Sequence, residues 1–279
     1  MWSKQSHGRR IAFLTLVVTL IALPLVIFVL GPNMPPGRHT SVAKGQQVDN
    51  TVLLVVMTPV TSFILVYLGY AIAAFRVRKG DDDPRDGAPI RGHMPSQVAW
   101  LTVTTILVLF LAVFGSAELL ANNGSGGGQG PKPLAKPSGP VLPVQVIGQQ
   151  WEFTYRYPTF GGVETAQLVL PVNQEIEFHV TSIDVIHSFW AYELGVKADA
   201  NPGVDNIAYV KPSVLGTFQI RCAELCGLWH GYMFDTGKVV TASQFAGWIK
   251  QQRTFFAPID KYLPAYSTTY SPDPSFRAG

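Results

Sequence analysis

Two long stretches of this 279-residue chain, Ile11–Leu30 and Thr51–Phe75, contain no charged side chain, and a third, Gln97–Leu120, carries only Glu118 near its far end. Helices of about 20 apolar residues span a hydrocarbon core of roughly 30 Å. In that medium every backbone polar group must be bonded within the segment, so helices are the form such runs take. Three membrane helices are therefore predicted; Pro24 lies inside the first, where a kink is tolerated. Lys4, Arg9 and Arg10 ahead of the first run also suit a cleaved signal peptide. That run exceeds the ~7–15 residues of such signals, however, and no small-residue cleavage site follows closely, so a retained helix is the expectation.

Basic residues orient the spans. The N-terminal tail holds three Lys or Arg, the 31–50 segment two, the 76–97 connection five and the segment after the third span two. The positive-inside rule places the N-terminus and the 76–97 connection in the cytoplasm and everything after Leu120 outside. A multi-pass protein of a bacterial plasma membrane is expected. Residues 143–260 carry 11 acidic and 7 basic side chains against a whole-chain net charge of +3. An acidic outer portion calls for a basic partner and argues against nucleic acid.

The chain divides by composition. Residues 1–50 hold the first helix and a polar, Pro-containing loop, residues 51–121 a helical hairpin, and residues 122–142 a Gly/Pro/Ser linker read as a spacer. From 143 to 254 the period becomes that of strands. Val144–Ile147, Glu152–Tyr157, Ala166–Leu170, Glu175–Thr181, Ile207–Val210, Thr217–Arg221 and Lys238–Thr241 are separated by turn residues, which predicts an all-β sandwich or barrel. Phe245, Trp248 and Ile249 in Ala242–Arg253 predict a short amphipathic helix packed on it. The tail, 255–279, has no periodicity. Strand alternation places His179 on the same face as Glu175 and Glu177, which predicts an exposed histidine.

Chemistry concentrates in Arg221–Met233, RCAELCGLWHGYM. Cys222, Cys226, His230 and Met233 offer thiolate, imidazole and thioether, donors that suit copper better than calcium or magnesium. A mononuclear blue-copper site uses one thiolate; two thiolates four residues apart can bridge two ions. A pair of ions needs a second imidazole, and His187 in DVIHSFW supplies one. The competing reading is a disulfide between the only two cysteines, which would not call for His and Met at these offsets.

C-x-E-x-C-x-x-x-H-x-x-M after an upstream D-V-x-H-S resembles subunit II of the haem–copper oxidases, and the resemblance runs from about residue 50 to about 252. It implies a cupredoxin, a Greek-key barrel with copper at one end, following a two-helix membrane hairpin. It also implies a dinuclear CuA centre. Cys222 and Cys226 would bridge, His187 and His230 would be terminal ligands, and Met233 and the Glu224 carbonyl would be weak axial ligands. The Glu224 carboxylate would hold magnesium at the contact with subunit I. Trp151, the first Trp of GQQWEFTYRYP, would receive electrons from cytochrome c, and subunits I and III of a proton-translocating oxidase would be partners. Within the family pattern, a nitric oxide reductase of the CuA type is the alternative assembly. No CxxCH occurs, so no covalent haem is expected in this chain.

Four positions depart from the pattern. Gln97 stands where a carboxylate commonly precedes Trp100, Glu152 and Phe153 where Tyr and Trp often follow Trp151, and Val204 where Arg usually follows a Pro-Gly near Asp199. The first helix is additional.

Overall fold

A computed structural model describes residues 4–76, 92–133, 136–260 and 262. The 76–97 connection (beyond its ends) and the tail from residue 263 lie outside the described residues, as do the expectations that fall on them. The chain forms two compact units, Met1–Met34 with Gln47–Ala117, and Pro35–Gln46 with Glu118–Gly279.

The first unit contains α1 (Lys4–Leu25), most of α2 (Ser41–Phe75) and α3 (Met94–Ala121). Three helices here are long and apolar enough to cross a membrane. α3 buries none of its residues, and Leu101, Val103, Ile106 and Leu120 all stand exposed. A helix apolar all round fits lipid as its solvent. His7 Nδ1 meets the Tyr70 hydroxyl at 2.7 Å, linking α1 to α2.

α2 begins ten residues before the apolar run, so Ser41–Asn50, expected as loop, is helical. Its start is held from outside. The Thr40 hydroxyl accepts the Ala43 N–H at 2.9 Å as an N-cap and donates to the Leu194 carbonyl at 2.7 Å. Gln46 donates to the Gly195 carbonyl at 2.8 Å. A polar first turn is thus stabilised by contacts that no local pattern encodes.

The second unit is a sandwich of two five-stranded sheets. One runs β3 (Val163–Thr165), β2 (Glu152–Tyr157), β1 (Val141–Gln149), β5 (Glu175–Ser182), β8 (Asn206–Val210). The other runs β4 (Val169–Pro171), β10 (Phe234–Val240), β9 (Gly216–Cys222), β6 (His187–Ala191), β7 (Val196–Ala200). Parallel pairs β1–β5 and β4–β10 lie among antiparallel neighbours. This is the cupredoxin arrangement. Alternation builds the core: Val144 and Val146 of β1, Ile176 and Phe178 of β5, Phe189 of β6, and Phe218 and Ile220 of β9 are all buried between the sheets.

All seven expected strands have counterparts, joined by β3, β6 and β7. β7 alternates buried and exposed positions, but its sequence VKADA offers only one residue of high strand propensity. α4 runs Ala242–Asp260, past the expected Arg253, so residues 255–260 are helical rather than irregular. Thr241 and Gln244 close its start reciprocally, each accepting the other's backbone N–H.

The linker is not a free spacer. Gly126 N–H donates to the Tyr209 carbonyl and its own carbonyl accepts from Lys197, while Gln129 N–H donates to Ile207. Residues 126–130 thus bond to β7 at the edge of one sheet and β8 at the edge of the other, covering both. Glycine is required there: Gly126 sits at φ +82°, and a Cβ on it would lie 2.3 Å from the Gly195 carbonyl oxygen.

His179 is a correction as well. It is 3% exposed, with Nε2 2.8 Å from Glu177 and Nδ1 2.8 Å from Asp205. Burial alone would lower its pKa, but the two carboxylates overcome that and raise it. Parity placed it correctly on the polar face; its carboxylate partners and its burial are tertiary.

Candidate metal centre

Strand parity delivers the first two donors to one end of the sandwich. Cys222 continues the inward row Phe218, Ile220 on β9, and His187 opens the inward row His187, Phe189 on β6. These strands pair with Phe189 opposite Cys222. His187 is fully buried and Cys222 nearly so.

The remaining donors come from the loop between β9 and β10. Gly227, at φ +116°, turns the chain back after Cys226. A single 3-10 turn, His230–Tyr232, then returns Met233 beneath Cys222, whose N–H donates to the Met233 carbonyl at 3.0 Å. The two sulfurs lie 3.8 Å apart. His187 Nδ1 is 3.2 Å from Met233 Sδ and 3.9 Å from Cys222 Sγ. Cys226 Sγ is 3.5 Å from His230 Nδ1 and 3.7 Å from Met233 Sδ. The Glu224 carbonyl accepts from Cys222 Sγ at 3.2 Å.

A disulfide bond measures about 2.05 Å, so the cysteines are free thiols. Their separation is less than twice a metal–thiolate bond of ~2.3 Å, so one ion can touch both. Among the described residues, His187, Cys222 and Cys226 form the one group of three or more His, Cys, Asp or Glu donors close enough to hold a metal. Two sulfurs flanked by two imidazoles, a thioether and a carbonyl make a donor set that fits copper. The Glu224 side chain stands exposed while its carbonyl faces the sulfurs.

Supporting residues hold this arrangement. Asp184 takes His187 Nε2 at 2.9 Å, which leaves Nδ1 directed at the sulfurs. Burial opposes ionisation of Asp184, yet hydrogen bonds from His187 and the Gln150 and Val185 N–H groups lower its pKa. Trp151 is half-buried, donates from Nε1 to the Cys226 carbonyl at 3.2 Å and meets Trp229 edge to face at 6.5 Å. Trp229 is the more exposed indole, at 48%. Asp199, on β7, accepts from the Ser188 hydroxyl at 2.7 Å. Sequence reading did not single out Gln150, nor Asp184 apart from its place in the motif. The D-x-x-H spacing was the available signal for Asp184; for Gln150 there was none.

A family model described as cytochrome c oxidase subunit II, periplasmic domain, matches residues 163–240. The cytochrome c oxidase subunit 2 of Synechocystis is 27% identical over 92% of this chain and 89% of its own length. That of Thermostichus vulcanus is 26% identical over 74% and 75%. The crystallised periplasmic domain of subunit II of the Bradyrhizobium japonicum cytochrome oxidase is 34% identical, covered over 95% of its length and 41% of this chain, with a TM-score of 0.40. The chain belongs to the cytochrome c oxidase subunit II family. The apolar helices and the match to a periplasmic domain fit a membrane protein with an outward-facing β domain.

Protonation of the thiols bears on how this site would take up a metal. Burial, reinforced by Cys222, pushes the Cys226 thiol up to about 12, so at neutral pH it is protonated and the incoming cation must displace that proton. Apparent copper affinity of the full chain in detergent is therefore expected to rise with pH, about tenfold per unit for each thiol proton displaced. Competition with a chelator of known pH dependence checks this; affinity flat between pH 6 and 8 would mean the thiols do not bind the metal.

Proposed function

We propose that this chain is the electron-accepting subunit of a proton-translocating cytochrome c oxidase and holds a dinuclear copper centre of the CuA type. The observation that carries the reading is the convergence of four further donor atoms on two sulfurs 3.8 Å apart. His187 Nδ1 and the Glu224 carbonyl approach Cys222, and His230 Nδ1 and Met233 Sδ approach Cys226. Cys222, Cys226, His187, His230, Met233 and the Glu224 carbonyl would hold the pair. When bound, such a pair takes one electron from cytochrome c and yields it to haem in subunit I.

The chain's own residues keep water from this centre and hold its donors in place. Phe153 and Phe189 wall the core beside His187, with Phe153 and His187 rings 6.3 Å apart. A cage fixed beforehand reorganises little when one charge arrives. The excess of acidic side chains in residues 143–260 attracts a basic cytochrome c, an attraction that added salt weakens. Trp151 touches the Cys226 backbone, and with Trp229 at its edge it would bring the donor's electron to the cluster. In this reading three helices span a bacterial plasma membrane, subunits I and III pack against them, and Gln97 takes no part in proton uptake because an amide does not titrate.

The Glu224 carboxylate, turned away from the sulfurs, is a hard oxygen donor and would bind magnesium at the contact with subunit I. In the assembled oxidase with manganese in place of magnesium, Glu224→Gln should alter the manganese resonance and leave copper absorption unchanged. An unaltered manganese signal would put the ion elsewhere.

Trp151→Ala should leave copper content and absorption intact and slow reduction by cytochrome c by about tenfold or more, equivalent to ~1.4 kcal/mol or more of barrier. Stopped-flow reduction at several salt concentrations separates docking from transfer. Wild-type rates in this variant, with slow rates in Trp229→Ala, would move electron arrival to Trp229.

A further inference from the structure

The tight turn between β1 and β2 touches both halves of the metal centre. Gly148 lies against the His187 ring, where a Cβ would come 3.0 Å from Cδ2. Its carbonyl accepts the Ile183 N–H at 3.1 Å, tying the turn to the loop that carries His187. At the next step the Gln150 N–H donates to Asp184 Oδ2 at 2.7 Å, and Asp184 Oδ1 holds His187 Nε2 at 2.9 Å. The Gln150 side chain goes the other way. Its Nε2 donates to the Cys226 carbonyl at 2.8 Å, the same oxygen that accepts Trp151 Nε1. The adjoining Gly227 permits this approach, since a Cβ there would lie 2.9 Å from Gln150 Nε2.

We infer that Gln150 is a positioning residue for the copper pair, bracing the His187 loop with its backbone and the Cys226 loop with its side chain. The inference rests on the dinuclear reading and adds to it. His187 and Cys226 belong to segments far apart in sequence, so their relative placement needs a common support. Backbone pairing between β6 and β9 supplies one for Cys222, but Cys226 lies beyond the end of β9. Gln150 and Trp151 are the side chains that hold the Cys226 carbonyl. Both donors fix the peptide from which the second sulfur hangs. The amide also fixes the turn from which Trp151 projects, so one residue serves both the sulfur's position and the indole's.

Substitution separates the two arms. Gln150→Met keeps the chain length and the backbone N–H to Asp184 while removing the donor to Cys226. Gln149→Met is the control in the same turn, because the Gln149 amide bonds outward to Glu152 at 2.6 Å and touches no donor residue. Full-length protein in detergent is loaded with copper alone. Absorption of the thiolate–copper bands, copper stoichiometry and copper release to a chelator are measured for wild type and both variants, with thermal midpoints of the metal-free forms to report folding.

Loss of one hydrogen bond of ~0.5–1.5 kcal/mol corresponds to release about 2- to 10-fold faster. That is expected for Gln150→Met, with the thiolate bands displaced, two coppers still bound and the metal-free midpoint near wild type. Gln149→Met should match wild type. Bands and release unchanged in Gln150→Met, or equal changes in both variants, would overturn the inference while leaving the dinuclear reading in place. A wild-type chain that takes up a single copper would overturn both.

Discussion

Two thiols held 3.8 Å apart without bonding are the constraint to which the rest of the β unit answers. Left to themselves in an oxidising compartment, such thiols would pair. The sandwich keeps them apart by anchoring them differently: Cys222 is the last inward residue of β9, whereas Cys226 sits in a loop braced from the β1–β2 turn. Burial raises the Cys226 thiol, so a cation that binds there has to displace its proton. Donor identity then selects among cations, because thiolate, imidazole and thioether favour a soft or borderline ion.

The two units obey opposite solvent rules. The helices turn Leu, Val, Ile and Phe outward because lipid surrounds them, and α3 has no buried face at all. The sandwich turns the same residue types inward and spends its polar side chains on its surface. The junctions of the β unit are built rather than loose. Pro35–Gln46 docks through Thr40 and Gln46 on the turn around Leu194, and residues 126–130 bond to β7 and β8.

How far the sequence reached depended on whether a feature was local. Apolar runs, strand alternation and the Cys-to-Met spacing are local, so the helices, seven strands and the candidate donors that the structure brings together were readable from residues alone or from the motif they form. Ser41–Asn50 was not, since its helix depends on Thr40 and Gln46 reaching the β unit. The linker's Gly-rich composition signalled flexibility, but the same glycines allow close approach of backbone to two sheet edges. His179 stood on the polar face as alternation required, yet Glu177 and Asp205 enclose it. Gln150 carries no signature whatever: a glutamine in a turn gains meaning only when the Cys226 carbonyl is found 2.8 Å away.

The electron paramagnetic resonance spectrum of the full-length chain, loaded with copper and poised with one electron removed from the pair, tests the account most directly. One unpaired spin shared equally by two copper nuclei gives seven hyperfine lines, which is the expected result. A four-line pattern, from a spin confined to one nucleus, would contradict the bridging of two coppers by Cys222 and Cys226.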